Sequence, residues 1–315
     1  MVNIIMTSYN GEKYIKEQIE SIRASYYKNW RLWIFDDGSK DATRQIVEDL
    51  ISKDPDRIHF QVNDKNKGVT RNFLDGILYL KQEIYNYSND SQDYYMFCDQ
   101  DDKWMPDKID RTLNQMKKAE KTYGADSVLA VFTDALVVDK ELKPLEQSFY
   151  KNSNLNTKKV DLPHILMENK MIGCTIMFNH ALFLKISKIP ENARYHDWWI
   201  ALIASAFGHI SFLPEPTLLY RQHGNNIVGN KNFISYVKKS ATSLLKQREI
   251  IEKTILQGRD FFRIYQQELS PVDKKILSTF AYLMKENWWK RRMLLAKYRF
   301  TKTGFLRNVG LFIII

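Results

Sequence analysis

The chain has 315 residues, 44% of them hydrophobic, with 47 Lys and Arg against 37 Asp and Glu, a formal net charge of +10. That length suits one large domain, or one domain plus an appendage, and the hydrophobic fraction excludes global disorder. The two cysteines, Cys98 and Cys174, form neither a CxxC pair nor a zinc spacing, which argues against a disulfide scaffold and for reduced thiols in a cytosolic setting.

The opening residues, Met1 to Thr7, carry no basic segment followed by a long apolar one, so no signal peptide is expected. No run approaches the roughly 18 apolar residues of a spanning helix. The charge is uneven. Residues 231–315 hold 18 Lys/Arg against 6 Asp/Glu, and residues 1–230 hold 29 against 31. The sequence therefore reads as a near-neutral body, 1–230, and a basic tail, 231–315.

The body alternates between strand and helix patterns. Val2 to Met6 is an apolar run that ends in the turn cluster Thr7-Ser8-Tyr9-Asn10-Gly11. Tyr14, Ile15, Gln18, Ile19 and Ile22 then recur at helical spacing. Trp30 to Phe35 is a second strand, closed by Asp36-Asp37-Gly38-Ser39, and a helix follows from Asp41. Ile58 to Val62 predicts a third strand and Gly68 to Leu80 a third helix. Tyr94 to Cys98 is a fourth strand ending in Asp99-Gln100-Asp101-Asp102, with a helix from near Pro106 to Tyr123. Val128 to Phe132 predicts a fifth strand that ends at Asp134. Such alternation predicts an α/β protein with a mostly parallel open sheet flanked by helices. Ligands bind beyond the carboxyl ends of strands in sheets of this kind. Three of those ends carry acids expected to be exposed: Asp36 and Asp37, then Asp99, Asp101 and Asp102, then Asp134.

Carboxylates packed after a buried strand repel one another unless a cation joins them. Hard divalent cations take oxygen ligands, and Mg²⁺ commonly combines one or two carboxylates with substrate phosphates. An acidic turn capping the helix near Pro106 is the competing reading of Asp99 to Asp102. Neither GxGxxG after the first strand nor GxxxxGK[ST] is present, which removes support for dinucleotide-binding and P-loop chemistry. An aspartyl-phosphate mechanism needs a nucleophilic acid two residues before Asp37, where Phe35 stands.

Thr7-Ser8-Tyr9-Asn10, Asp36-Asp37-Gly38-Ser39-Lys40-Asp41, Asn66-Lys67-Gly68 and Asp99-Gln100-Asp101-Asp102, in that order, resemble the motifs of the family 2 glycosyltransferases of GT-A fold, over about residues 1–230. The resemblance implies that Thr7 and Tyr9 line a nucleotide base site; in isolation they would read as a capping hydroxyl and a core aromatic. It implies that Asp37, with Asp36 beside it, hydrogen-bonds a pyrimidine ring. Asp99 and Asp101 look like the DxD pair, with Asp101 on the metal, Asp99 toward the ribose or sugar, and Asp102 orienting the loop. Lys67 is grouped with the nucleotide site, as is Arg71, which either contacts phosphate or caps its own helix face.

The second half must supply the acceptor side. Gly173-Cys174-Thr175 is a small-residue stretch that either admits a ligand to the backbone or packs as a tight strand. Asp197, in His196-Asp197-Trp198-Trp199, precedes an apolar helical run and reads as a helix N-cap. The family places a catalytic Asp at the start of such a helix, which makes Asp197 the expected base, with His196, Trp198 and Trp199 toward donor or acceptor and at least one Trp in the core. Arg221 and His223 stand two apart after a strand over Thr217 to Leu219, where Arg221 would meet the diphosphate and His223 would complete the metal shell. The stretches around Asp197 and Arg221 look most like the rhamnosyltransferases of bacterial cell-surface polysaccharides.

The resemblance thus implies a Mg²⁺- or Mn²⁺-dependent inverting transferase that uses a nucleotide-diphosphate sugar, dTDP-L-rhamnose first and a UDP-sugar second, and a lipid-linked glycan acceptor. The competing class is a non-catalytic nucleotide-sugar or nucleic-acid binding module. The tail carries helical apolar stripes beside Trp288-Trp289-Lys290-Arg291-Arg292, a pattern of helices lying in a membrane interface. It predicts peripheral attachment to the cytoplasmic face of an anionic membrane, with packing on the body or self-association as the competing use, and no nucleic-acid partner.

Overall fold

A computed structural model describes residues 1–87, 92–223 and 242–315. The first part of the tail, residues 231–241, lies outside the described residues. The chain divides into two compact units. One comprises Met1–Phe149, Met171–Ile189 and Gly208–His223; the other comprises Tyr150–Lys170, Pro190–Phe207 and the described part of Gly224–Ile315.

The first unit is built on a nine-stranded sheet: β1 Val2–Ser8, β2 Trp30–Asp36, β3 Ile58–Val62, β4 Tyr94–Cys98, β5 Lys103–Trp104, β6 Val128–Val138, β7 Pro144–Glu146, β8 Ile176–Asn179 and β9 Gly208–Arg221. The order is β3-β2-β1-β4-β8-β6-β9-β5, with β7 on β6. β3, β2, β1 and β4 are all parallel, as their connecting helices require: α1 Ile15–Arg23, α2 Thr43–Ile51 and α3 Val69–Tyr87. β8 enters antiparallel between β4 and β6, β6 runs parallel to β9 and β5 antiparallel to β9, so the far half of the sheet is mixed. α4 Lys108–Tyr123 and α7 His180–Lys185 complete this unit.

Strand side chains alternate between two faces. Val2, Ile4 and Met6 pack with Leu32, Ile34 and Met96 against Ile15, Ile19, Val47, Ile109 and Met116 of α1, α2 and α4. On the opposite face Phe97 meets Phe73 of α3 edge-on at 5.1 Å between ring centroids. Helices therefore cover both sheet faces, and buried parallel strands read as continuous apolar runs.

The second unit is helical: α5 Phe149–Ser153 leads into it, followed by α6 Leu162–Met167, α8 His196–Phe207, α9 Thr242–Tyr265, α10 Pro271–Ala281, α11 Trp288–Tyr298 and α12 Phe305–Ile314. α8 buries Trp198 through Ala204 without interruption, the signature of a helix enclosed on all sides. The tail is tied into this unit. Glu168 accepts from Thr303 N at 2.8 Å and from Arg307 Nη1 at 3.0 Å, and Lys170 Nζ donates to Thr303 Oγ1 at 2.6 Å. No helix among the described residues is long and apolar enough to cross a membrane.

Two expectations are corrected. The fifth strand does not end at Asp134 but runs on to Val138, because Leu136, Val137 and Val138 pair with β9 beyond a register shift. Asp134 is not exposed: its carboxylate accepts from Ala135 N at 2.8 Å, Phe149 N at 3.1 Å and the Ser148 hydroxyl. A buried acid with its hydrogen bonds made inside the protein ends nothing.

Candidate functional site

β1 lies between β2 and β4, and the chain leaves it toward β2 before returning from β3 to β4. The carboxyl ends of β1, β2 and β4 therefore open on one side at a topological switch point. Ser8, Asp36 and Asp99 stand there, at or just past those ends.

The Asp36 and Asp37 carboxylates are buried, not exposed as expected. Asp36 Oδ1 accepts from Ser39 N at 2.8 Å and Gly38 N at 3.2 Å, and its Oδ2 from Ser8 Oγ at 3.0 Å. Asp36 is thereby used up in holding the turn, whose left-handed residue, at φ +82°, is Gly38. Asp37 accepts from Asn63 Nδ2 at 3.0 Å, Lys67 N at 2.9 Å and Gly68 N at 2.8 Å, which fixes the 63–68 loop beside the strand end. The Lys67 and Arg71 side chains converge on Asp75, at 3.0 and 2.8 Å. Thr7 is buried and Tyr9 is 46% exposed.

Gln100, which sequence reasoning passed over, clamps β1 to β4. It accepts from Tyr9 N at 2.9 Å and donates to Tyr9 O at 3.1 Å. A Cβ on Gly11 would stand 2.2 Å from Gln100 Oε1, so a side chain there would displace the Gln100 amide from this pairing. Only the tight turn after β1 and the amide between two aspartates hinted at this pairing.

Three aspartates follow β4, and their carboxylates find different partners. His223 Nε2 donates to Asp101 Oδ2 at 2.8 Å, and its ring stacks on Tyr14 at 5.1 Å. Arg221 N donates to Asp102 Oδ1 at 3.1 Å, and Arg221 Nε to Asp101 O at 2.8 Å. The same guanidinium donates to Lys140 O at 2.7 Å and to Glu17, and lies 4.6 Å from the Tyr14 ring. Arg221 is therefore a buried latch between β9 and the acidic loop, rather than a side chain held out to a diphosphate. Burial alone would raise the Glu17 carboxyl, but hydrogen bonds from Lys103 and Arg221 outweigh it and hold it below the usual range.

Asp102, fully buried, is pushed well above the usual carboxylate range, first by burial and then by the charges of Asp101 and Asp99. Its Oδ2 is sealed from solvent with no nitrogen or oxygen donor in reach, beside the Cys174 thiol. Lys108, also fully buried, donates to Thr217 Oγ1 at 3.2 Å, and burial lowers its ammonium to about 8. Asp99, Asp102 and Cys174 place ligand atoms within 4.8 Å of one another. The Cys174 thiol is held well above its usual range by burial and by Asp102 and Asp99. The ligating chemistry here therefore comes from carboxylate oxygens, as Mg²⁺ or Mn²⁺ prefers, and a cation would relieve their repulsion. The residues fit a hard divalent ion. Gly173, Cys174 and Thr175 form one buried 3₁₀ turn ahead of β8, so Gly173 and Thr175 belong to packing and Cys174 to the base of the acidic cluster.

In the second unit Asp197 lies in the first turn of α8. Its Oδ1 accepts from Trp198 N at 2.6 Å and from Asn169 Nδ2 at 2.9 Å. Asn169 was missed by sequence reasoning, standing 28 residues away with no motif around it. Trp199 is fully buried, 5.2 Å from the Phe261 ring, and Trp198 Nε1 donates to Ile165 O. His196 is buried too. All three pack in the core of their unit, not one tryptophan alone, because the helix is apolar on every side.

Residues 3–178 match the family described as glycosyl transferase family 2. The chain belongs to glycosyl transferase family 2. Among curated relatives, this glycosyltransferase is 27% identical over 235 residues to the dTDP-rhamnosyl transferase RfbG of Shigella flexneri, covering 71% of this chain and 73% of that one. It is 26% identical over 239 residues to the putative teichuronic acid biosynthesis glycosyltransferase TuaG of Bacillus subtilis, covering 73% and 82%. The solved structure of S. aureus TarS 1-349 superposes with a TM-score of 0.56 at 14% identity, covering 94% of this chain and 79% of that one. The mannosyltransferase PcManGT of Pyrobaculum calidifontis, solved with GDP-Man and Mn²⁺, superposes with a TM-score of 0.51 at 16% identity, covering 99% and 78%. The glycosyltransferase has the GT-A fold, with helices following it.

Proposed function

We propose that this glycosyltransferase moves L-rhamnose from dTDP-L-rhamnose, with inversion, onto a lipid-linked glycan of a cell-surface polysaccharide. It would work at the cytoplasmic face of the membrane, with residues 1–230 as the catalytic domain and 231–315 as the attachment. The observation that carries the transferase chemistry is the acidic loop past β4, where Asp99 and Asp102 place ligand atoms within 4.8 Å of each other and Asp101 pairs with His223. The relative named as a dTDP-rhamnosyl transferase supports the donor.

In this reading Tyr9, Thr7 and the loop organised by Asp37 receive the pyrimidine nucleotide, and Asp99 faces the ribose or sugar. Mg²⁺ or Mn²⁺, held by Asp101 with His223, would supply positive charge to the departing diphosphate. Asp197 takes the proton of the acceptor hydroxyl as that oxygen bonds to C1 and the bond from C1 to the diphosphate oxygen breaks. Asn169 holds the Asp197 carboxylate in one orientation. A UDP-sugar is the second reading of the donor, supported by the TarS structure solved with UDP-GlcNAc, which superposes with a TM-score of 0.53 at 15% identity.

Incubation of the protein with dTDP-rhamnose, UDP-GlcNAc and GDP-mannose in Mn²⁺ tests this. Release of dTDP well above release of UDP or GDP is expected. Turnover of a UDP-sugar alone would replace the donor, and turnover of none would contradict the reading.

A further inference from the structure

α11 and α12 expose one apolar face each. On α11, Trp289 is 76% exposed, with Trp288 and Met293 beside it; on α12, Phe305 is 81% and Ile313 66% exposed, with Leu306 and Val309 alongside. Opposite faces of the same helices, through Leu295, Leu311 and Ile315, are buried. The two exposed faces adjoin, since a cleft of about 540 Å³ is lined by Trp288 and Arg292 of α11 with Phe305, Val309, Phe312 and Ile313 of α12.

The arrangement is pinned. Arg292 stacks its guanidinium 3.6 Å from the Trp288 ring and donates to Ile313 O at 3.2 Å, and Arg291 donates to Ile315 O at 3.0 Å. These arginines satisfy carbonyls at the open end of α12. Among the described residues none covers this apolar face, which is of the kind that marks an interaction site.

The charge around it selects the occupant. Residues 287–315 hold seven Lys and Arg and no Asp or Glu. A second copy of the chain seated on this face would bring like charges together, which disfavours association. A nucleic acid would neutralise the cations but leave Trp289, Phe305, Leu306 and Ile313 facing phosphates and water. An anionic bilayer satisfies both halves: indole and apolar side chains enter the boundary of headgroup and acyl chain, and lysines and arginines meet the lipid phosphates.

We infer that α11 and α12 form the bilayer-docking face of this protein, a two-helix wedge whose Trp289, Phe305 and Ile313 insert among anionic phospholipids. The inference rests on the membrane setting of the proposed function and assigns that contact to named residues. Docking of this kind is reversible for helices that lie in the interface, and no helix among the described residues is long and apolar enough to cross a membrane.

The test is co-sedimentation of the full chain with phosphatidylcholine vesicles, with and without about one-third phosphatidylglycerol. The wild type should pellet with the anionic vesicles and bind pure phosphatidylcholine at least about tenfold more weakly. Trp289→Ser/Phe305→Ser/Ile313→Ser, all at exposed positions, should lose about tenfold or more of the anionic binding while turning over donor at the wild-type rate. Wild-type protein that stays in the supernatant, a triple variant that binds as wild type, or a wild-type dimer that the triple variant breaks without any vesicle binding would overturn the inference. Vesicle binding without donor turnover would contradict the enzymatic reading and leave the docking face standing.

Discussion

At the scale of single residues, the acids that mark this sequence do different work, and burial decides which. Asp36 and Asp134 accept backbone and hydroxyl donors, Asp37 accepts backbone and amide donors, and all three serve as turn and loop organisers. Asp101 is held by a histidine from β9's end, and Asp102 is sealed under the cluster. The motif Asp99-Gln100-Asp101-Asp102 was legible because acids after an apolar strand are costly without a partner. Arg221, in contrast, looked available for phosphate, since nothing in its own segment shows that Asp101, Lys140 and Glu17 converge on it from three distant places. Asn169 is the sharpest case of a residue invisible in sequence. Its amide reaches Asp197 Oδ1 at 2.9 Å, and its neighbours Glu168 and Lys170 are tied to Thr303 and Arg307. A hydrogen bond to a charged group is worth about 1.5–3 kcal/mol. Asn169→Ala should therefore lower kcat by about tenfold or more and leave the KM for donor unchanged. Steady-state kinetics check this; a kcat within twofold of wild type would remove Asn169 as the positioning residue for the base.

At the scale of elements, the patterns of β1, β2, β4 and their helices were strong because these strands are buried along nearly their whole length and the helices bury one face. Elements without that contrast were misread. β6 carries a buried aspartate in mid-strand, and its continuation was lost at Asp134. α8 is apolar all round, so no stripe distinguishes a ligand face from a core face: His196 and both tryptophans face in, where at least one tryptophan is expected in the core and the others toward donor or acceptor. Burial of His196 has a measurable consequence. It lowers the imidazole from 6.5 to about 3. The unfolded chain takes up a proton near pH 6.5, and the native chain does so only near pH 3. The neutral form's contribution to stability is therefore fully present above about pH 6.5 and is lost as pH falls toward 3. Stability should therefore decline steadily as pH falls through that window. Urea unfolding across this range should show that slope in the wild type and a flatter profile in His196→Leu. Parallel profiles for the two proteins would contradict it.

At the scale of the whole molecule, the net charge of +10 first suggests a basic protein seeking a polyanion. Partition changes that reading. The sheet unit gathers carboxylates where a cation is needed, and the cationic excess belongs to the tail, which also presents the apolar wedge of α11 and α12. The tail's place in the helical unit with segments 150–170 and 190–207 was not legible, because the contacts of Glu168 and Lys170 with Thr303 and Arg307 span more than 130 residues. The central claim is that the acidic cluster binds a nucleotide diphosphate through a divalent ion. Titration calorimetry of dTDP into the protein, with Mn²⁺ and with chelator, tests it most directly when repeated with Asp101→Asn. Tight binding is expected only with Mn²⁺, with a loss of about tenfold or more in the variant. Equal affinity with and without metal, unchanged by Asp101→Asn, would contradict it.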